Sequence, residues 1–288
     1  MAGFRFGRIV IAESLSDREL RSGRELFGYL GPLIEDADAP IALEFHECSG
    51  AESFRDLVRR LAEECTAGAP TPVLHVETHG SDYQNGLVFQ DDSMLTWAQL
   101  ADLTRQLNAA TKFNLLVVVA ACFGAHMLLT QFRLREPAPF WGIVAPSNLT
   151  HGSELLGSFR SFYRTLILDL NASLAFNGVR TYRLDDGGFF ARSAEELFSM
   201  GMNKFLNEHC SPAAIERRVK ANYKLLKKMG ASRSLKVVRR GLILAHSSGY
   251  EKFVEQYFMV KEFPENLSRF EGTISKIRSQ FVKALKQL

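Results

Sequence analysis

Hydrophobic and polar positions alternate along this chain in two periods. Short, almost continuous apolar runs occupy residues 8–12, 40–45, 72–78, 113–121 and 139–145. Runs of that length and composition predict strands buried on both faces. Between them the apolar positions recur at helical spacing. Residues 18–33 place Leu20, Leu26, Phe27 and Leu30 on one side, and residues 52–65 do the same with Phe54, Leu57, Val58 and Leu61. Helices are also predicted over 96–110, 124–132 and the strongly apolar 153–170. Residues 86–89 read as a short hairpin strand off the sheet. Strand followed by helix followed by strand implies crossover connections and parallel neighbours, so the pattern predicts a doubly wound α/β domain.

The pattern changes near residue 180. Residues 180–184 read as a last strand and Asp185-Asp186-Gly187-Gly188 as a turn. From Ser193 onward the chain reads as helical. The expected division is a sheet domain over 1–200 and a helical extension over 201–288, packed on it.

Composition narrows the class. Apolar residues make up 46% and charged residues 23% of the 288 positions, ordinary values for a soluble globular chain. A net charge of +3 is too small to imply a nucleic-acid binder. The longest strongly apolar run, 115–121, falls far short of the ~20 residues a membrane helix needs. No signal-like apolar region follows Met1. Cys48, Cys65, Cys122 and Cys210 are widely spaced without a CxxC pair, which argues against a zinc cluster or disulfide framework. These features lead to the expectation of a cytoplasmic protein with no membrane contact, no metal and no cofactor. The chain also lacks GxxxxGK[ST] and a strand-linked GxGxxG, which weighs against a nucleotide-binding module.

Charge is unevenly distributed. Residues 211–244 hold ten Lys and Arg against Glu216 alone, a local balance of +9 that leaves about −6 for the rest. Ile215, Val219, Leu226 and Met229 would form the buried stripe, with the cations on the other face. That face is either simply solvated or a docking surface over 215–240 for an acidic partner, such as an activator protein, a nucleotide or a nucleic acid.

The candidate chemistry lies at two strand ends. His79-Gly80 follows the 72–78 run and Ala121-Cys122 ends the 113–121 run. Parallel neighbouring strands point their carboxyl ends the same way, where open α/β sheets bind ligands. An imidazole and a thiol should therefore meet there, the usual recipe for an activated nucleophile. His126 would be carried away on its helix, and His75 would be packed on a sheet face. Cys48 lacks an accompanying histidine motif. Cys65 and Cys210 read as structural.

A strand ending in His-Gly and a later strand ending in a small residue plus Cys, 43 positions on, resemble the caspase-like cysteine peptidases. That group includes caspases, metacaspases, legumains, separases and bacterial CHAT-domain proteases. The resemblance spans roughly residues 4–200, and residues 140–145 with 157–168 resemble the post-cysteine strand and helix of bacterial members. It implies a three-layer sandwich with a mostly parallel central sheet, and an endopeptidase that cleaves a protein substrate. Cys122 would be the nucleophile, activated by a helix starting near Gly124, and His79 the general base and acid. The backbone amides of Gly80 and Cys122 would form the oxyanion hole. In relatives the residue two before the cysteine helps form the specificity pocket, and here it is Ala120, without the polar wall found elsewhere. Other pocket walls would come from Glu13 or Asp17 after the first strand and from Ser147 and Asn148 after the fifth. Asp17 reads more readily as a helix N-cap, and Glu13 equally as a surface residue. These walls favour a neutral or basic residue before the scissile bond. The resemblance also suggests a bacterial stress or antiviral defence setting. The alternative is a catalytically silent relative that serves as a scaffold or regulator.

Overall fold

The first strand, β1 (Arg8–Glu13), is buried at every position, as are β3 (Pro72–Glu77), β7 (Leu116–Ala120) and β8 (Gly142–Pro146). A strand buried on both faces must be covered by helices above and below. In this computed structural model, which describes residues 3–131, 133–181, 183–184, 187–231 and 233–286, that is the arrangement. With β2 (Ala42–Glu47) and β10 (Gly187–Ser193) these strands form a sheet ordered β2-β1-β3-β7-β8-β10, and the two-residue β9 (Arg183–Leu184) pairs with β10. The first five strands of that order are parallel, and β10 is antiparallel to β8. Helix α1 (Ser22–Asp36) packs with α5 (Gly152–Leu168) and α5 with α6 (Ala172–Thr181), while α2 (Ala51–Thr66) packs with α3 (Trp97–Ala110). The chain is thus an α/β protein with a mostly parallel sheet flanked by helices.

A second small sheet, ordered β4-β5-β6, is built from His79–Gly80, Gly86–Val88 and Met94–Thr96. It includes the hairpin strand expected over 86–89. Thr96 caps α3 with its side chain, which accepts from the Gln99 amide, and Gln99 reciprocates to the Thr96 amide at 3.0 Å.

Three expectations need correction. The first helix starts at Ser22, not residue 18. Ser16 and Glu19 instead close a local turn, because both the amide and the hydroxyl of Ser16 donate to Glu19. Leu20 lies before the helix and is exposed. Second, Arg180 and Thr181 end helix α6 rather than open a strand, and β10 begins at Gly187 within the segment read as a turn. The strand that periodicity missed, GGFFARS, is glycine-led and carries an arginine. Tyr182, Asp185 and Asp186 lie outside the described residues. Third, α4 is shorter than expected, spanning His126–Gln131, and Phe132 lies outside the described residues.

The chain divides into two compact units, Met1–Phe132 with Ala138–Ala194, and Arg133–Pro137 with Glu195–Leu288. The second is helical, with α7 (Ala194–His209), α8 (Pro212–Lys228), α9 (Leu235–Tyr257), α10 (Glu265–Arg269) and α11 (Glu271–Lys286). Its core packs Phe198 tilted against Tyr257 and Phe258, and stacks Phe258 on Phe270. The α8–α9 pair closes over Ile215, Val219, Val238 and Leu242, with Leu226 partly buried against them. Met229, assigned to that stripe from sequence, is 73% exposed, because it caps the end of α8 instead of continuing its inner face.

Candidate active site

Strands β3 and β7 are parallel neighbours, and their last registered pair is Glu77 with Ala120. His79 and Cys122 therefore each lie two residues beyond a common point. The pairing persists one step further, where the Thr78 amide donates to the Ala120 carbonyl at 3.4 Å. The two chains then part. His79 turns into the small sheet and pairs with Val88, while the Thr78 hydroxyl donates to the Val88 carbonyl at 2.6 Å. This fixes the backbone that carries the imidazole.

On the other strand, Cys122 precedes Phe123, whose φ of 59° lies in the left-handed region. A non-glycine residue held there is strained, and such strain clusters at functional sites. The turn is held by three amides: Phe123 donates to the Asn148 carbonyl, Gly124 to Ala121 and Ala125 to Pro146. This corrects the expected activation of Cys122 by a helix beginning near Gly124. The helix begins only at His126, and the intervening amides are already spent on carbonyls.

Cys122 and His79 line one cleft of about 200 Å³. Of the four cysteines, Cys122 alone is not buried. Its thiol is 3.7 Å from the Thr150 carbonyl, a weak S–H donor contact. Burial pushes the Cys48 and Cys210 thiols up to about 11, so neither supplies thiolate at neutral pH. Cys65 is buried too, against the Arg8 guanidinium. Gly80 presses against the cysteine, since a Cβ there would stand 1.9 Å from the Cys122 carbonyl oxygen. The two backbone segments expected to supply oxyanion donors are thus in contact.

The carboxylate that reaches the imidazole is Glu19, whose Oε1 is 2.7 Å from His79 Nε2. Sequence reading passed over it. The available signal was Ser16-x-x-Glu19, a capping-box pattern. Thr150 and Leu155 also line the cleft and were not anticipated, because they arrive from the β8–α5 connection and from α5.

Ala120 borders the cleft as expected. The other proposed walls do not. Glu13 is buried, pairs with Arg21, and accepts from the Arg24 amide at 3.1 Å, which ties down the start of α1. Asp17 points to solvent, ion-paired to Arg21 at 2.7 Å, and does not cap the helix, whose N-cap position is Arg21. The Ser147 hydroxyl donates to the Gly188 carbonyl at 2.8 Å, and the Asn148 carbonyl is taken by Phe123. These four residues build the scaffold around the cleft instead of lining it. His126 likewise does not line it, but packs edge-on to Phe123.

Beneath the cleft runs a buried polar chain. Ser22 donates to Glu77 Oε2 at 2.8 Å, and Glu77 Oε1 meets His75 Nε2 at 2.9 Å. His75 Nδ1 meets the Tyr163 hydroxyl at 3.0 Å. Burial, and then the Glu77 charge, hold the Tyr163 phenol well above its ordinary value, so it stays protonated beside the His75 ring. His75 is therefore packed, as its sequence position suggested.

In the helical unit the basic segment is exposed at Lys220, Lys224, Lys227, Lys228, Arg233, Lys236 and Arg240. Glu216, its lone acid, pairs with Arg239. Among the described residues no helix is long and apolar enough to cross a membrane. Comparison of the chain with protein-family models and with curated proteins gives no match.

Proposed function

We propose that this chain is a cysteine endopeptidase of the caspase-like kind, with Cys122 as nucleophile and His79 as general acid and base. The observation that carries this reading is the convergence of the one unburied thiol and a histidine in a single open cleft at the ends of adjacent parallel strands. The strained residue after Cys122 and the tight approach of Gly80 support it.

In this mechanism the thiol proton passes to His79 and the thiolate attacks a peptide carbonyl. Backbone amides of Gly80 and Cys122 hold the oxyanion, each worth roughly 3 kcal/mol at the transition state. His79 returns the proton to the leaving amine as the C–N bond breaks. It then takes a proton from water as the oxygen attacks the thioester carbonyl, the C–S bond breaks to release the acid, and His79 gives that proton to the departing Cys122 sulfur. Among the described residues, the charged or titratable side chains lining the cleft are Glu19, Glu77, His79 and Cys122, with no Lys or Arg. An acidic side chain before the scissile bond would find no counter-charge there, so a neutral or basic one fits.

The test is to digest a proteome-derived peptide library with the full chain and read new termini by mass spectrometry. Cleavage that disappears in both Cys122→Ala and His79→Ala, with the fold intact by circular dichroism, is the expected result. Full cleavage by either variant overturns the reading, and a strict preference for aspartate overturns the specificity drawn from the cleft lining.

A further inference from the structure

We infer that Glu19 is the positioning residue of the His79 imidazole, making the reactive unit a Cys122–His79–Glu19 triad; this rests on the peptidase reading and adds a third member to it. The two oxygens of the Glu19 carboxylate have separate partners. Oε1 faces His79 Nε2 at 2.7 Å. Oε2 accepts from the Ser16 amide at 2.9 Å and from the Ser16 hydroxyl at 2.7 Å. One oxygen is anchored to its own loop while the other addresses the ring, so the carboxylate has a fixed aim. The Ser16 donors, and after them the His79 charge, hold the carboxyl below its ordinary range, which keeps it ionised at neutral pH.

Chemistry assigns the ring nitrogens. An ionised carboxylate only accepts, so Nε2 carries the hydrogen toward Glu19 and the neutral ring has its lone pair on Nδ1. Nδ1 then takes the Cys122 thiol proton, giving thiolate and imidazolium, and passes that same proton to the leaving nitrogen. Glu19 stays ionised throughout and stabilises the imidazolium. The other ionisable groups around His79 are Cys122 and Glu77 in the same cleft, and Asp82 and Asp92 in the adjoining one of about 400 Å³, which Glu19 and His79 also line. Glu77 is committed to Ser22 and His75.

The experiment compares the full-length wild type with Glu19→Gln and Glu19→Asp. Nitrogen NMR of ¹⁵N-histidine-labelled protein, which needs no substrate, should show the Nε2–H tautomer at His79 in the wild type. In Glu19→Gln that preference for Nε2–H should weaken, since the neutral amide can present either a donor or an acceptor to the ring. On a cleavable peptide, kcat should fall about tenfold or more with KM within twofold. Glu19→Asp should recover part of each effect. The same His79 tautomer in wild type and Glu19→Gln, or an unchanged kcat of Glu19→Gln on a cleavable peptide, overturns the role of Glu19. A chain that cleaves nothing while His79 still responds to Glu19 overturns the peptidase reading, and the triad with it, but leaves the ion pair established.

Discussion

Gly80 and Cys122 touch through their backbones: a Cβ on Gly80 would lie 1.9 Å from the Cys122 carbonyl oxygen and 2.7 Å from its carbonyl carbon. Both partners are main chain, one pinned by the small sheet and the other by the turn after β7, so neither yields easily. Gly80→Ala is therefore expected to separate them. If they supply the oxyanion donors, kcat/KM should drop by roughly 100-fold or more. The melting temperature should fall as well. Kinetics and a thermal melt check both, and wild-type turnover in Gly80→Ala would contradict the assignment.

Glu13 bears on specificity in the opposite sense to its sequence reading. It is buried against Arg21 and the start of α1, so Glu13→Ala should cost roughly 2–3 kcal/mol, the usual scale for charged hydrogen bonds. Activity should fall because the loop that carries Glu19 loses an anchor. The ranking of residues before the scissile bond should stay the same. A changed ranking in a peptide-library profile would place Glu13 in the pocket after all.

The buried tyrosines predict alkaline weakness. Burial raises Tyr163 and Tyr257 well above the ordinary phenol value and Tyr250 to about 12. Below the unfolded value near 10 both states keep the proton. As pH rises past it the unfolded chain releases protons that the folded chain retains, so stability is lost at up to ~1.4 kcal/mol per pH unit per tyrosine. Melting temperatures should begin to fall above about pH 8.5, where the unfolded chain releases the Cys48 and Cys210 protons that the folded chain keeps, and should fall more steeply past about pH 10 as the tyrosines join. Tyr257→Phe should flatten that fall, and an equally steep one in the variant would refute the cause.

Lys220, Lys224 and Lys228 are spaced by four on α8, all exposed, so like charges stack along one helix face. Lys224→Glu converts two repulsive neighbours into attractive ones. The gain should reach about 1 kcal/mol at low salt and fade near 1 M, where screening is ~3 Å. The melting temperature should rise at low salt only; a drop would mean that Lys224 has a stabilising partner.

Much of this fold was legible in the chain. The fully buried strands were found because apolar runs have no competing explanation when both faces are covered, and β1, β3, β7 and β8 overlap their expected positions. Strand β10 was not found, since GGFFARS shows no clean period. The start of α1 was misplaced because Ser16 and Glu19 mimic a helix start while closing only one turn.

By itself the sequence determined the alternation of strand and helix, the parallel order this imposes, and hence the strand ends where His79 and Cys122 emerge. Hydrophobic period and crossover geometry are local or topological properties, and both are written in residue order. Only the tertiary structure decided which acids face the cleft. Glu13 ends β1 and Asp17 and Glu19 follow in the next few residues, and their order says nothing of direction. Packing against Arg21 buries the first, solvent takes the second, and a hydrogen-bonded serine aims the third at the imidazole.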